Sequence, residues 1–155
     1  LIVTDINQVA LDKAAAELNA TVVGLDEIYS QDVDVFSPCA LGASIDDNSI
    51  AQLKAVIIAG CANNQLAEAR HDQILLEKGI LYAPDYVINA GGIINVALEI
   101  YPEPYCADSA TKLVENIYHT LMNVFETAAA QIMPTGLIAD QMARDIIAKG
   151  HNNSN

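Results

Sequence analysis

Positive charge is scarce in this sequence: 7 lysines and arginines stand against 20 acidic residues, for a formal net charge of −13. A phosphate backbone or an anionic membrane surface demands clustered positive charge, so nucleic acid and membrane are set aside as partners. Solubility is the plain reason for the acidity. Cysteine is sparse too. Cys39, Cys61 and Cys106 form no Cys-x-x-Cys pair, so neither a zinc knuckle nor a redox motif is written here. An odd count without a signal peptide fits a reducing cytosol, and a cytoplasmic location is expected. His71, His119 and His151 lack metal-ligand spacing, and no metal site is expected. Although 52% of the chain is apolar, no uninterrupted run reaches the ~18 residues of a membrane span. An initiator methionine is also absent. The opening Leu-Ile-Val-Thr-Asp reads as the interior of a strand rather than a natural start.

What is present is 155 residues, room for one domain with a real core. Leu1–Thr4 is β-branched and apolar, the pattern of a short buried strand in a parallel sheet. It ends at Asp5. Asn7 can cap a following helix whose Leu11, Ala14, Ala15 and Leu18 form an apolar stripe. Thr21–Val23 is a second strand, stopped at Gly24. Strand, helix and strand make part of a βαβ unit. Val33–Phe36, Ala55–Gly60 and Ile80–Tyr82 read as further strands. A short helical turn starts at Asp46–Asn48, and a helix around Ile74–Leu76 ends at Gly79, a normal C′ residue. The segment Tyr101–Pro104 breaks a helix. Asp108 or Ser109 then caps a long one, with Leu113, Ile117, Leu121, Val124, Phe125, Ala128 and Ile132 on one buried face, and Pro134 ends it. A last helix, capped by Thr135, is expected from about Gly136 to Lys149, closed by Gly150, before a frayed tail, His151–Asn155.

In open α/β sheets, ligands collect at the carboxyl ends of the strands. Four such ends stand out. Asp5 is placed like the acid that accepts hydrogen bonds from an adenosine ribose and repels a 2′-phosphate, favouring NAD over NADP; its bland alternative is a cap for the helix near Asn7. The glycine fingerprint of a dinucleotide site would lie ~20 residues earlier, before residue 1. Pro38–Ala43 forms a loop. Cys39 in it has no base nearby in sequence to make a thiolate, and reads as packing or as a backbone contact to a ligand. Cys61–Gln65 places small residues and amides after the clearest strand. Adjacent asparagines are often mere turn formers, but this position favours a ligand wall. Finally, Tyr86-Val87-Ile88 reads as a short strand running into Asn89 and the Gly91-Gly92 pair, before a helix of Ile93, Ile94, Val96, Ala97 and Ile100. Asn89 can both donate and accept, and glycine lets the backbone approach a ligand. The alternative there is a tight αL turn with no ligand.

Four segments carry a resemblance: Val3-Thr4-Asp5-Ile6-Asn7, Pro38–Ala43, Ile58–Leu66 and Tyr82–Gly92. In that order, and across nearly the whole chain, they resemble the C-terminal, NAD-binding domain of the leucine dehydrogenases, within the glutamate/leucine/phenylalanine/valine dehydrogenases. The resemblance implies a Rossmann-like, doubly wound parallel α/β sheet with C-terminal helices. It implies that Asp5 is the ribose-binding acid, that Ile6 is a further cofactor-binding residue, and that Cys39 and Ala40 lie against the adenosine half of NAD. Ala62, Asn63 and Asn64 would reach the nicotinamide ribose, with Asn64 also near the substrate carboxylate. Asn89 and Gly91 would surround the nicotinamide ring. The implied reaction is reversible oxidative deamination of a branched-chain L-amino acid, leucine foremost, to its 2-oxo acid. The α-hydrogen leaves as hydride to NAD, and water hydrolyses the imine.

The resemblance also implies what this chain does not carry. The family's two catalytic lysines and their aspartate belong to an N-terminal domain, and none of Lys13, Lys54, Lys78, Lys112 or Lys149 sits in a matching motif. The expected layout is a partial NAD-binding domain at 1–107, C-terminal helices at 108–150 and a tail at 151–155. The chain alone is expected to be inactive, and the whole protein to be a homo-oligomer acting on a small amino acid. In the strand order 3-2-1-4-5-6, the first strand is central, and this sequence begins at what reads as the second. The two halves of the sheet should then lack the strand that joins them: another chain supplies the missing portion, a swapped or altered sheet replaces it, or the sequence records part of the polypeptide. Alternatives to the enzyme are a non-catalytic dinucleotide-binding or assembly module, and a related dehydrogenase of phenylalanine, valine or glutamate.

Overall fold

The computed structural model describes residues 1–100 and 104–152. Its strands are short and all parallel. Strand β1 (Ile2–Val3) pairs with β2 (Thr21–Val22), Ile2 against Thr21 and Val3 against Val22. A second sheet holds β3 (Val35–Phe36), β4 (Ile57–Ile58) and β5 (Leu81–Tyr82), side by side in chain order. Among the described residues no strand joins the two sheets. In the order 3-2-1-4-5-6 this is what remains when the central strand is left out: 3-2 on one side, 4-5-6 on the other. The expected interruption is therefore present.

Local chemistry sets most element ends. Helix α1 (Gln8–Leu18) starts where the Asn7 side chain accepts from the Ala10 N–H, and it stops at Asn19 in the left-handed region, φ 51°. Helix α2 (Asp47–Gln52) has a full capping box, Asp46 and Ser49 each accepting from the other's backbone N–H. Helix α3 (Arg70–Glu77) gives way to Gly79 at φ 73°, whose N–H returns to Leu76 O, so the expected C′ glycine holds.

The main core lies under the three-stranded sheet. Ile45, Ile50, Ile58 and Leu75 are at most 2% exposed and pack with Phe36, Ala55, Ile80 and Tyr82. Each such aliphatic side chain contributes about 1.5–3 kcal/mol on burial. The β1–β2 half is far thinner. Leu1 is 75% exposed, Leu18 62%, and Ile2 and Val3 are only half-buried. The buried strand and full apolar stripe expected there are thus corrected: two strands and α1 alone cannot cover both faces of a sheet.

Between β5 and the long helices, the expected strand Tyr86–Ile88 is instead a helical turn, α4 (Asp85–Ile88). The edge of the sheet has already ended at Tyr82. Pro84, with its φ set near −60°, starts a turn in which the Val87 and Ile88 N–H groups both return to Pro84 O at 3.0 Å. Val87 then packs, partly buried, against a second core of Val124, Ala128, Ile138 and Ala139, and that packing overrides its β-branched preference. Helix α5 (Gly91–Ile100) follows, and Gly91 and Gly92 are its first residues, neither with positive φ. The αL-turn alternative for this pair is therefore also corrected.

Helix α6 (Ala107–Gln131) has Cys106 at its N-cap position, in place of the expected Asp108 or Ser109. Asp108 lies inside the first turn, where its charge faces the positive end of the helix. Only Ala110, Val124 and Ala128 are buried; Leu113 is 48% and Ile132 80% exposed, so the expected face is buried mainly toward the C-terminal half. Helix α7 (Thr135–Asn152) packs there through Ile138 and Ala139. It begins one residue earlier than expected and continues through Gly150. Thr135 is no cap: its hydroxyl donates to Tyr82 O at 2.7 Å, tying α7 to β5. Residues Tyr101–Glu103 of the expected break and 153–155 of the expected tail lie outside the described residues. His151 and Asn152 are helical. No described helix is long and apolar enough to cross a membrane.

Candidate functional site

The carboxyl ends of β3, β4 and β5 are laced into one wall. Ala62 N–H donates to Pro38 O at 2.9 Å, Ala43 N–H to Asn64 O at 2.7 Å, and Ile45 N–H to Gln65 O at 3.0 Å. These bonds clamp the loop after β3 to the loop after β4. Glycine is required where they cross. A Cβ on Gly60 would lie 2.2 Å from Pro38 O, and one on Gly42 would lie 2.8 Å from Asn63 O.

The β4 loop is held from the other side by β5 and α4. Asn64 sits in the left-handed region, φ 52°, and its N–H donates to Asp85 Oδ2 at 2.6 Å. Tyr82 OH donates to Asp85 Oδ1 at 3.0 Å. Burial, with the Asp85 charge beside it, pushes the Tyr82 phenol up, so it stays a donor. Asn89, the residue that ends α4, reaches across: its Nδ2 donates to Asn63 Oδ1 at 2.6 Å and to Cys61 O at 3.3 Å. Asn89 was expected at a strand end and stands at a helix end instead, yet it still faces the β4 loop.

Beneath the loop lies Gln65, fully buried, with Nε2 donating to Gly60 O at 2.8 Å and Ala62 O at 2.9 Å. Sequence reasoning named Asn63 and Asn64 as ligand contacts, took Gln65 only as the last residue of the Cys61–Gln65 wall, and gave Asp85 no role. A third amide directly after two asparagines was the one local signal for Gln65; Asp85 had none, because the Asn64 N–H it holds lies 21 residues away.

The remaining expected site residues fall as follows. Cys39, Ala40, Asn63 and Asn64 are exposed on the wall, and Gly91 is half-exposed at the start of α5. Ala62 is 4% exposed, with its N–H and carbonyl both engaged inside the protein. Asp5 and Ile6 lie at the end of β1, in the other sheet. Asp5 Oδ1 accepts from the N–H of Asn7, the N-cap residue of α1, at 2.8 Å, and Ile6 is 91% exposed. Among the described residues no hydrogen bond ties Asp5 or Ile6 to the three-stranded wall, which gathers three of the four segments directly.

Electrostatically the wall is mild. Its one distinctive titrating pair is Cys39 and Cys61. Burial raises the Cys39 thiol, but hydrogen bonds from the Cys61 backbone and from the Ser37 and Cys61 side chains outweigh it and leave it below the ordinary thiol range. The same contact with Cys39 pushes Cys61 up. Lysine is not part of the wall: Lys78 Nζ donates to Ile50 O at 2.7 Å behind the sheet, and Lys13 pairs with Glu17. Among the described residues no cluster of His, Cys, Asp or Glu could hold a metal ion. The arrangement can bind and orient a ligand through amides and backbone.

Comparison with known proteins gives a consistent result. The family model for glutamate/leucine/phenylalanine/valine dehydrogenase matches residues 3–144. Leucine dehydrogenase of Bacillus subtilis is 52% identical over 149 residues, covering 96% of this chain and 40% of that protein. L-tryptophan dehydrogenase of Nostoc punctiforme is 49% identical over 149 residues, covering 96% of this chain and 42% of that protein. The crystal structure of the Nostoc enzyme superposes with a TM-score of 0.91 at 48% identity, over 96% of this chain and 45% of that one. The chain thus spans about 40% of the length of the curated relatives it matches.

Proposed function

The chain belongs to the glutamate/leucine/phenylalanine/valine dehydrogenase family, and on that premise we propose that its strand-end wall holds the dinucleotide in an NAD-dependent amino-acid dehydrogenase. The observation that carries the reading is the Asn63–Asn89 pair. One hydrogen bond of 2.6 Å locks the two amides together. It leaves Asn63 Nδ2 and Asn89 Oδ1 without hydrogen bonds among the described residues, a donor beside an acceptor. A planar carboxamide such as that of nicotinamide needs this complement. Next to it, nothing lies within 4 Å of a Cβ built on Gly92, so the first turn of α5 offers bare backbone.

The other roles are carried over from the family resemblance. Cys39 and Ala40 lie against the adenosine half. Asn63 and Asn64 reach the nicotinamide ribose, and the Asn64 side chain meets the substrate carboxylate. Gly91 adjoins the nicotinamide ring. Ala62 acts through the shape of its pinned backbone rather than its buried methyl. Asp5 Oδ2, which takes no hydrogen bond among the described residues, is the acceptor for the ribose hydroxyls, with Ile6 beside it. When bound, the dinucleotide supplies the hydride acceptor; this chain's residues bind it, orient it and exclude water from it.

The reaction is reversible oxidative deamination of a branched-chain L-amino acid, with leucine as the first candidate. The chain alone binds without turning over, because no amine for imine chemistry stands at the wall. Residues 1–107 form the cofactor-binding part and 108–150 the helices against it. The protein works as a homo-oligomer in the cytoplasm. The test is NAD titration of the protein carrying this chain. Asn89→Ala removes the lock and one carboxamide partner, for about 1–2 kcal/mol, so NAD should bind roughly 5–30-fold more weakly. Unchanged affinity would refute the assignment.

A further inference from the structure

We propose that Cys39 and Cys61 form a paired-thiol site that a hydroperoxide closes to a disulfide and a thiol reductant reopens, gating the adenosine end of the wall. The gating rests on the dinucleotide reading above; the bond itself does not.

The two residues are remote in sequence and match no motif, but the sheet brings them together. In the β3–β4 ladder Val35 faces Ile57 and Phe36 faces Ile58. Past the strand ends the two residues flank a single inter-strand hydrogen bond, Cys39 following its acceptor Pro38 and Cys61 preceding its donor Ala62. Neighbouring parallel strands run ~4.8 Å apart, and residues on either side of one such bond come within the ~4.4–6.8 Å Cα spacing of disulfides. The ladder slips by one residue at this point. Ala59 N–H bonds Phe36 O at 3.0 Å, but the next rung comes from Ala62, whose N–H bonds Pro38 O at 2.9 Å. Cys61 is skipped, and its N–H and its side chain both turn to the Cys39 sulfur. Ser37 Oγ lies 3.4 Å from the same sulfur. Both cysteines are exposed, while Cys106 stands apart at the start of α6.

These contacts divide the labour. The donors around Cys39 favour its thiolate, which is the attacking form. It attacks one oxygen of the hydroperoxide; the O–O bond breaks, the sulfur becomes a sulfenic acid, and the alcohol leaves after taking a proton. Cys61 gives up its proton and attacks the Cys39 sulfur; the S–O bond breaks and water leaves. Two thiols and one hydroperoxide become a disulfide, an alcohol and water, with two electrons passing from the sulfurs to the peroxide. The bridge stiffens the Pro38–Ala43 and Cys61–Asn64 loops against each other.

The experiment treats the protein carrying this chain with stoichiometric hydrogen peroxide and maps its peptides by mass spectrometry. A Cys39–Cys61 cross-linked peptide is expected, removed by dithiothreitol and unaffected by Cys106→Ser. With Cys61→Ser the reaction should halt at a Cys39 sulfenic acid that dimedone traps. Cross-links through Cys106, or sulfinic acids on Cys39 and Cys61 without a bridge, would overturn the proposal. The oxidised protein should bind NAD at least ten-fold more weakly; a bridge with unchanged NAD affinity overturns the gating. If the bridge forms but NAD binds neither state, the dinucleotide reading fails and the thiol pair stands. If NAD binds and no bridge forms, the reverse holds.

Discussion

Gln65 supports the wall from below, and its removal can be worked through. The side chain is 0% exposed, and its Nε2 donates to Gly60 O and Ala62 O. Gln65→Leu keeps the volume and deletes both donors. Each buried carbonyl left without a partner costs about 1–3 kcal/mol. Part of this is offset, because Gln65 Oε1 is itself buried without a partner and leaves with the amide. A net loss of about 2 kcal/mol follows. At this chain length 1 kcal/mol moves Tm by roughly 2–4 °C, so Tm should fall by roughly 4–8 °C. Thermal unfolding followed by circular dichroism reads that shift, and hydrogen exchange should show the amides of Cys61–Asn64 opening more often. Gln65→Glu is the sharper variant. At neutral pH its carboxylate offers only acceptors to two carbonyl acceptors, so the loss should exceed that of the leucine variant. Burial and the facing carbonyls raise the folded-state pKa of the introduced carboxyl above its unfolded value of about 4.3. Its protonated form, which can donate, is the one the fold tolerates. The deficit relative to the parent protein is therefore smallest below that unfolded value and grows as pH rises through the folded one. Equal stability of all three proteins at neutral pH would refute the reasoning, as would a glutamate variant whose deficit does not change with pH.

Glycine substitutions should separate close approach from open backbone. Gly60→Ala drives a Cβ against Pro38 backbone at 2.2 Å and should cost about 3 kcal/mol or more, whereas Gly92→Ala, in open helix, should add about 0.5–1 kcal/mol; urea unfolding ranks the two. Burial pushes the Asp72 carboxyl up despite backbone hydrogen bonds from Leu137 and Gly136. A folded pKa above the unfolded one contributes stability that is complete below the unfolded value and lost as pH rises through the folded one. Asp72→Asn, which keeps an acceptor for the Leu137 N–H, should match or exceed the parent's stability at neutral pH, with the difference shrinking on acidification; a clear loss at neutral pH would count against burial as the cause. Asp5→Ala should weaken NAD binding and relax rejection of NADP. Unchanged affinity for both would return Asp5 to its turn beside Asn7.

Signals that act over a few residues were legible in the chain itself. The Asn7 cap, the Asp46 start of α2, the Gly79 stop and the apolar strand centres are each decided by short-range hydrogen bonding, backbone freedom or burial pattern. So was the order of the five paired strands, and with it the interruption between the two sheets. Tyr86-Val87-Ile88 misled because β-branched residues carry strand propensity, while Pro84 and the second core hold them in a helical turn. What the sequence alone determined is thus the α/β plan and the residues that line the strand ends. Only the tertiary structure decided how those ends are locked: Asp85 on Asn64, Asn89 across to Asn63, and Cys39 beside Cys61. The physical reason is distance along the chain. A parallel sheet joins residues some twenty positions apart through crossover helices, and no local pattern records which side chains meet when the strands align.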